Sequence, residues 1–138
     1  MVKIPDRPLS VLVVEDTPDL LDALRLVLKA AGLAVLTAES GAEAIDCLNS
    51  IRAGIIAPDV IITDIRMPEI NGLSLIQYIR KNPDLAKIGI LAITGEDKVA
   101  LDHALEFGAD AVLQKPVDPD EMIGIIKKLA HGGLTRPR

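Results

Sequence analysis

Short runs of aliphatic and β-branched residues alternate along this chain with longer stretches in which apolar positions recur every three or four residues. The runs are Leu9 to Val14, Ala34 to Ala38, Val60 to Thr63, Ile88 to Ile93 and Ala111 to Leu113. Their length suits strands, whereas a period near 3.6 suits helices with one buried face. Five helical stretches are predicted, over about residues 18–31, 41–53, 72–81, 97–107 and 119–130. Local chemistry marks their ends. Thr17 before Pro18, Ser40 with Glu43, and Asp118 ahead of Pro119 and Glu121 are N-terminal signals. Gly32, Gly54 and Gly108 stand where helices should stop, and Asn82–Pro83 ends the third.

Runs such as VLVV and VIIT lack polar alternation, so both faces of those strands are expected to be buried. With helices following strands, this predicts an α/β fold, a doubly wound parallel sheet covered on both sides. In such sheets ligands sit beyond the carboxyl ends of the strands. The MPEINGL segment reads as architecture, with Pro68 and Asn71–Gly72 forming a tight turn into the third helix.

Composition narrows the partners. The 138 residues suit one domain, read here as 9–130, with flexible ends over 1–8 and 131–138. Fifteen basic against twenty acidic side chains give a net charge of −5, and Tyr78 and Phe107 are the only aromatics. Neither binding to a phosphate backbone nor stacking on bases is favoured, so no direct nucleic-acid contact is expected. No apolar run approaches a membrane span, and no secretory signal precedes the first strand. The single Cys47 falls in an apolar-periodic stretch, as a core thiol in a reducing compartment would. A cytoplasmic location is the expectation.

The residues at the carboxyl ends of the predicted strands carry the chemistry. Glu15 and Asp16 follow the first strand, Asp64 the third, Thr94 the fourth and Lys115 the fifth. Taken singly, an acid after a strand is a helix cap and a lysine is a solvated charge. Gathered at one sheet edge, carboxylates ~4 Å apart repel by ~4 kcal/mol per pair at an effective dielectric of ~20. A positive partner is required. An all-oxygen ligand set favours Mg²⁺, and Lys115 adds a second positive charge. A cation and a lysine beside a carboxylate suit phosphoryl transfer onto an aspartate.

The segments VLVVEDTPD, PDVIITDIRMPEINGL, ILAITGED and GADAVLQKP resemble, in order and across about residues 9–130, the receiver domain of two-component response regulators. The resemblance implies a flavodoxin-like sheet of five strands in the order 2-1-3-4-5 with five helices on its two faces. It implies that Asp64 is the phosphoacceptor and that Asp16 ligates Mg²⁺ directly, with Glu15 acting mostly through a water. The Arg66 carbonyl would be a further metal ligand. Thr94, the Gly95 N–H and Lys115 would contact the phosphoryl group, and Pro116 would follow a cis peptide bond.

The implied function is that of a stand-alone switch or relay that accepts a phosphoryl group from a histidine kinase or a histidine phosphotransfer protein. It would catalyse only its own phosphorylation and dephosphorylation. The first helix, with Leu20, Leu24, Asp19 and Asp22, would meet the donor. The fourth helix, including His103, would be the output surface, serving an unidentified protein target from a monomer or weak dimer. Four positions individualise the chain. Glu15 stands where Asp is frequent in the family. Val112 stands where most receivers carry an aromatic switch residue, three positions before the lysine. Arg66 and Glu96, two positions after Asp64 and Thr94, would pair to restrict water at the site.

Val112 also motivates a second reading, a receiver-like interaction module that works without phosphate. A dehalogenase-type phosphatase would need an acid where Arg66 stands. A flavin-binding relative would need a hydroxyl-rich loop where EDTPD stands.

Overall fold

The computed structural model describes residues 7–50, 57–95 and 98–131. Five strands, β1 (Ser10–Val14), β2 (Ala34–Ala38), β3 (Val60–Asp64), β4 (Gly89–Thr94) and β5 (Ala111–Gln114), form one parallel sheet in the order β2-β1-β3-β4-β5. Five helices alternate with them: α1 (Pro18–Ala30), α2 (Gly41–Asn49), α3 (Gly72–Lys81), α4 (Lys98–Phe107) and α5 (Pro119–Ala130). The predicted fold class and strand order are those observed.

Two apolar layers hold the helices to the sheet. On one face, Leu21, Leu24 and Leu28 of α1 and Met122 and Ile126 of α5 pack on Val11, Val13, Val60, Ile62, Leu91 and Ile93. On the other, the apolar faces of α2, α3 and α4 pack on Leu12, Val14, Ile61, Ile90 and Ala92. The period-2 alternation of side chains divides each central strand between the two layers. Every residue of β3 and β4 is consequently buried, as the unbroken apolar runs predicted. The edge strands differ: Ala34, Leu36 and Thr37 of β2 are exposed, and β5 is only partly buried.

Several local readings are corrected. Thr17 occupies the N-cap position of α1, but its side chain makes no capping bond; its N–H donates instead to Glu15 Oε2 at 3.0 Å. The Asn71–Gly72 pair is a helix start: Asn71 Oδ1 accepts the Ser74 N–H at 2.9 Å, and Gly72 opens α3. A Cβ on Gly72 would lie 2.3 Å from the Asp64 carbonyl oxygen, so this close approach needs glycine. The third and fourth strands run one residue further than read, placing Asp64 and Thr94 inside the sheet as its last residues. Ser40 and Asp118 cap as expected, each accepting the N–H three residues on. Gly32 and Gly108 end α1 and α4 with positive φ. Gly54, Glu96 and most of both chain ends lie outside the described residues.

Two ionic contacts fasten the opposite edge of the sheet. Arg7 pairs with Asp59 at 3.0 Å, and Asp59 also accepts the Ser10 N–H at 2.8 Å. Arg80, near the end of α3, donates to the carbonyls of Gly108, Ala86 and Ile88 and to Asp110 Oδ2. Asp110 in turn accepts the Ile90 N–H at 2.8 Å. One guanidinium thus ties together the ends of α3 and α4 and the start of β4.

Candidate functional site

The carboxyl edge of the sheet converges as the strand order requires. β1 and β3 are neighbours and so are β3 and β4, which brings Glu15, Asp64 and Thr94 side by side. Lys115 follows β5, with its N–H donating to the Thr94 carbonyl at 2.8 Å. Its Nζ reaches back across the edge to Glu15 Oε1 at 3.1 Å and Asp64 Oδ2 at 3.1 Å. The Lys115–Pro116 peptide bond is cis.

Glu15 is wholly buried and Asp64 is 5% exposed, whereas Asp16 lies nearer solvent. One carboxylate oxygen from each of Glu15, Asp16 and Asp64 falls within 4.8 Å of the others. Burial pushes the Glu15 carboxyl above its usual range, and the negative charge of Asp64 adds to the effect; the Thr17 N–H and Lys115 oppose it. Burial alone would lower Lys115, but hydrogen bonds to Glu15 and Asp64 outweigh it and raise the ammonium above its ordinary value. The electrostatics are those of an acidic cluster held by one lysine, with room for more positive charge.

Thr94 is fully buried, and its Oγ1 has no hydrogen-bond partner. An orphaned buried hydroxyl is costly unless a ligand completes it. It lines a cavity of about 290 Å³ together with Asp64, Arg66, Gly95 and Lys115. The Arg66 N–H donates to Asp64 Oδ1 at 3.4 Å. An oxygen-only donor set, a lysine and an unsatisfied hydroxyl around one open cavity fit a divalent cation and a phosphoryl group.

Of the remaining residues read from the sequence, Val112 sits partly buried against the layer containing Ala92, Ala100 and Ala104. It is ordinary packing for a strand. His103 is exposed on α4, and Glu96, the predicted partner of Arg66, lies outside the described residues. The sequence reading missed Thr63, whose buried hydroxyl donates to the Asp64 carbonyl at 2.8 Å. Its signal was a polar residue within the otherwise apolar run VIIT. The part played by Gly72 was also missed, because an Asn–Gly pair reads most readily as a turn.

Residues 11–127 match the family model of the response regulator receiver domain. The chain is 34% identical over 124 residues to an uncharacterized 14.6 kDa protein from Leptolyngbya boryana, covering 87% of this chain and 88% of that one. It is 38% identical over 118 residues to the transcriptional regulatory protein GlrR of Escherichia coli, covering 84% of this chain but 25% of that regulator. The fold is similar to the crystal structure of a putative response regulator from Chloroflexus aurantiacus, with a TM-score of 0.83, 32% identity, and 91% and 99% of the two chains covered.

Proposed function

The chain belongs to the response regulator receiver domain family, and from that membership and its acidic edge we propose that it is a signalling module that accepts a phosphoryl group on Asp64. One observation carries the reading. Asp64, 5% exposed, lines one cavity with Lys115, whose ammonium is 3.1 Å from its carboxylate, and with Thr94, whose hydroxyl is buried without a partner.

In the proposed step, a phosphohistidine of a histidine kinase or histidine phosphotransfer protein is presented at the cavity. An Asp64 oxygen attacks phosphorus in line; the P–O bond forms as the P–N bond breaks, and the leaving imidazole nitrogen takes the electron pair. Lys115, Thr94 and the Gly95 N–H hold the transferred oxygens. Asp16, Asp64 and the Arg66 carbonyl would hold Mg²⁺, with Glu15 acting through a water. The chemistry Mg²⁺ supplies there is neutralisation of charge on the phosphoryl oxygens. The acyl phosphate carries about −1.5 to −2 charge, and Thr94 gains the acceptors it lacks at rest. Drawing Thr94 toward them biases α4 toward a second state. The same reading places the module in the cytoplasm, with its donor; separately, among the described residues no helix is long and apolar enough to cross a membrane.

Val112 favours a second reading, in which the module signals through contacts that do not require phosphate, because a valine cannot perform an aromatic rotamer change. Beryllofluoride with Mg²⁺ separates the two. The proposed function predicts shifts in backbone NMR signals around Asp64, Thr94 and α4; a spectrum that does not respond supports the phosphate-independent module.

A further inference from the structure

We propose that Thr63 is a positioning residue for phosphoryl acceptance, fixing the peptide that follows Asp64 through a hydrogen bond to the Asp64 carbonyl. This rests on the reading of Asp64 as the phosphoacceptor. Thr63 is fully buried in a strand whose residues Val60, Ile61 and Ile62 are equally buried and apolar. A hydroxyl there needs a partner inside the protein. It has one, the Asp64 carbonyl oxygen at 2.8 Å.

That oxygen lies past the end of the ladder on the β1 side, although β3 stays paired with β4 as far as Asp64 and Ile93. Pairing of β3 with β1 ends at Val14 and Thr63. Gly72 packs on the same oxygen so closely that a Cβ would come within 2.3 Å of it and 2.7 Å of Ile65 Cα. The Gly72 N–H donates to the Ile65 carbonyl at 2.8 Å, and the Ile65 N–H donates to Ile93 at 3.1 Å. The Asp64–Ile65 peptide is thereby held by the Thr63 hydroxyl, the start of α3 and β4. Rotation of this peptide would displace the Asp64 carboxylate on one side and Arg66 on the other. Both belong to the proposed Mg²⁺ site, so the Thr63 hydroxyl acts on it through the backbone.

The test compares the parent chain with Thr63→Val, which keeps shape but loses the donor, and Thr63→Ser, which keeps the donor but loses a methyl group. Mg²⁺ affinity and the rate of phosphoryl uptake from acetyl phosphate are measured for each, with thermal melts to check folding. Loss of one hydrogen bond predicts that Thr63→Val lowers affinity and rate by about two- to tenfold, and that Thr63→Ser retains both. If Thr63→Val does not fold, Thr63→Ala is compared with Thr63→Ser in the same way. Parent-like values in the variant lacking the hydroxyl overturn the inference. So does a loss that Thr63→Ser shares, since packing would then be the cause. A parent chain that takes up no phosphoryl group overturns the Asp64 reading itself, and the inference with it.

Discussion

Replacing Lys115 with methionine removes the one cation that the described residues place between Glu15 and Asp64, while an unbranched stem still fills its path. The ammonium is 3.1 Å from an oxygen of each, and the Glu15 and Asp64 side chains are 0% and 7% exposed. At an effective dielectric of ~20, each contact supplies ~5 kcal/mol of attraction before desolvation is subtracted. The full loss is not reached, because Glu15 can take up a proton instead. Keeping a carboxyl of ordinary pKa 4.5 protonated at pH 7 costs about 3.4 kcal/mol. That route limits the destabilisation of Lys115→Met to about 3 kcal/mol, a fall in Tm of about 10 °C for a domain of this size.

The pH dependence follows in sign. Glu15 binds its proton more tightly folded than unfolded, so stability falls as pH rises above 4.5 and through the folded pKa. Removing Lys115 extends that window upward, so the deficit of the variant is expected to be small near pH ~5 and near its limit at pH ~7. Lys115 itself titrates above 10.5 in the folded chain, so its contribution to the parent is intact across this range. Thermal melts of both chains in EDTA at the two pH values measure the difference. Adding Mg²⁺ is expected to raise the Tm of the variant more than that of the parent. A deficit that is absent, or that does not change with pH, would refute the electrostatic account of this edge.

Other substitutions separate function from stability. Thr94→Val removes a buried hydroxyl without a partner and is expected to stabilise the unphosphorylated chain by about 1 kcal/mol in urea melts while shifting the response to beryllofluoride. Arg80→Met leaves Asp110 and three carbonyls without this donor, and a loss of about 3–5 kcal/mol is expected by the same melts. Burial, with Glu43 nearby, raises the Cys47 thiol above its ordinary range. Alkylation by iodoacetamide at neutral pH is expected to be slower than for a free cysteine.

The strands and helices were legible because each central strand is an unbroken apolar run and each helix has a period near 3.6. The convergence of the five candidate residues was legible for a related reason: in a parallel sheet, the residues that end strands share one edge. What escaped was contact between backbone and side chain across elements. Nothing in the spacing of Asn71 and Gly72 says that the glycine abuts the Asp64 carbonyl, or that Asn71 caps a helix. Thr17 has the right residue type for a cap, yet its side chain makes no capping bond, while its N–H donates to Glu15. Arg80 looks like a solvated charge in the last turn of α3. Only the fold brings Gly108 and Asp110 to it. The exposed face of β2 follows from the strand order, which no local pattern contains.

The central claim, that Asp64 accepts the phosphoryl group, is tested most directly by trapping the acyl phosphate. The chain is incubated with acetyl phosphate and Mg²⁺, reduced with borohydride, digested and mapped by mass spectrometry. Reduction of an aspartyl phosphate leaves homoserine, and the conversion is predicted at residue 64, absent when Mg²⁺ is withheld and absent in Asp64→Asn. Conversion at another aspartate, or none in the parent chain, would contradict it.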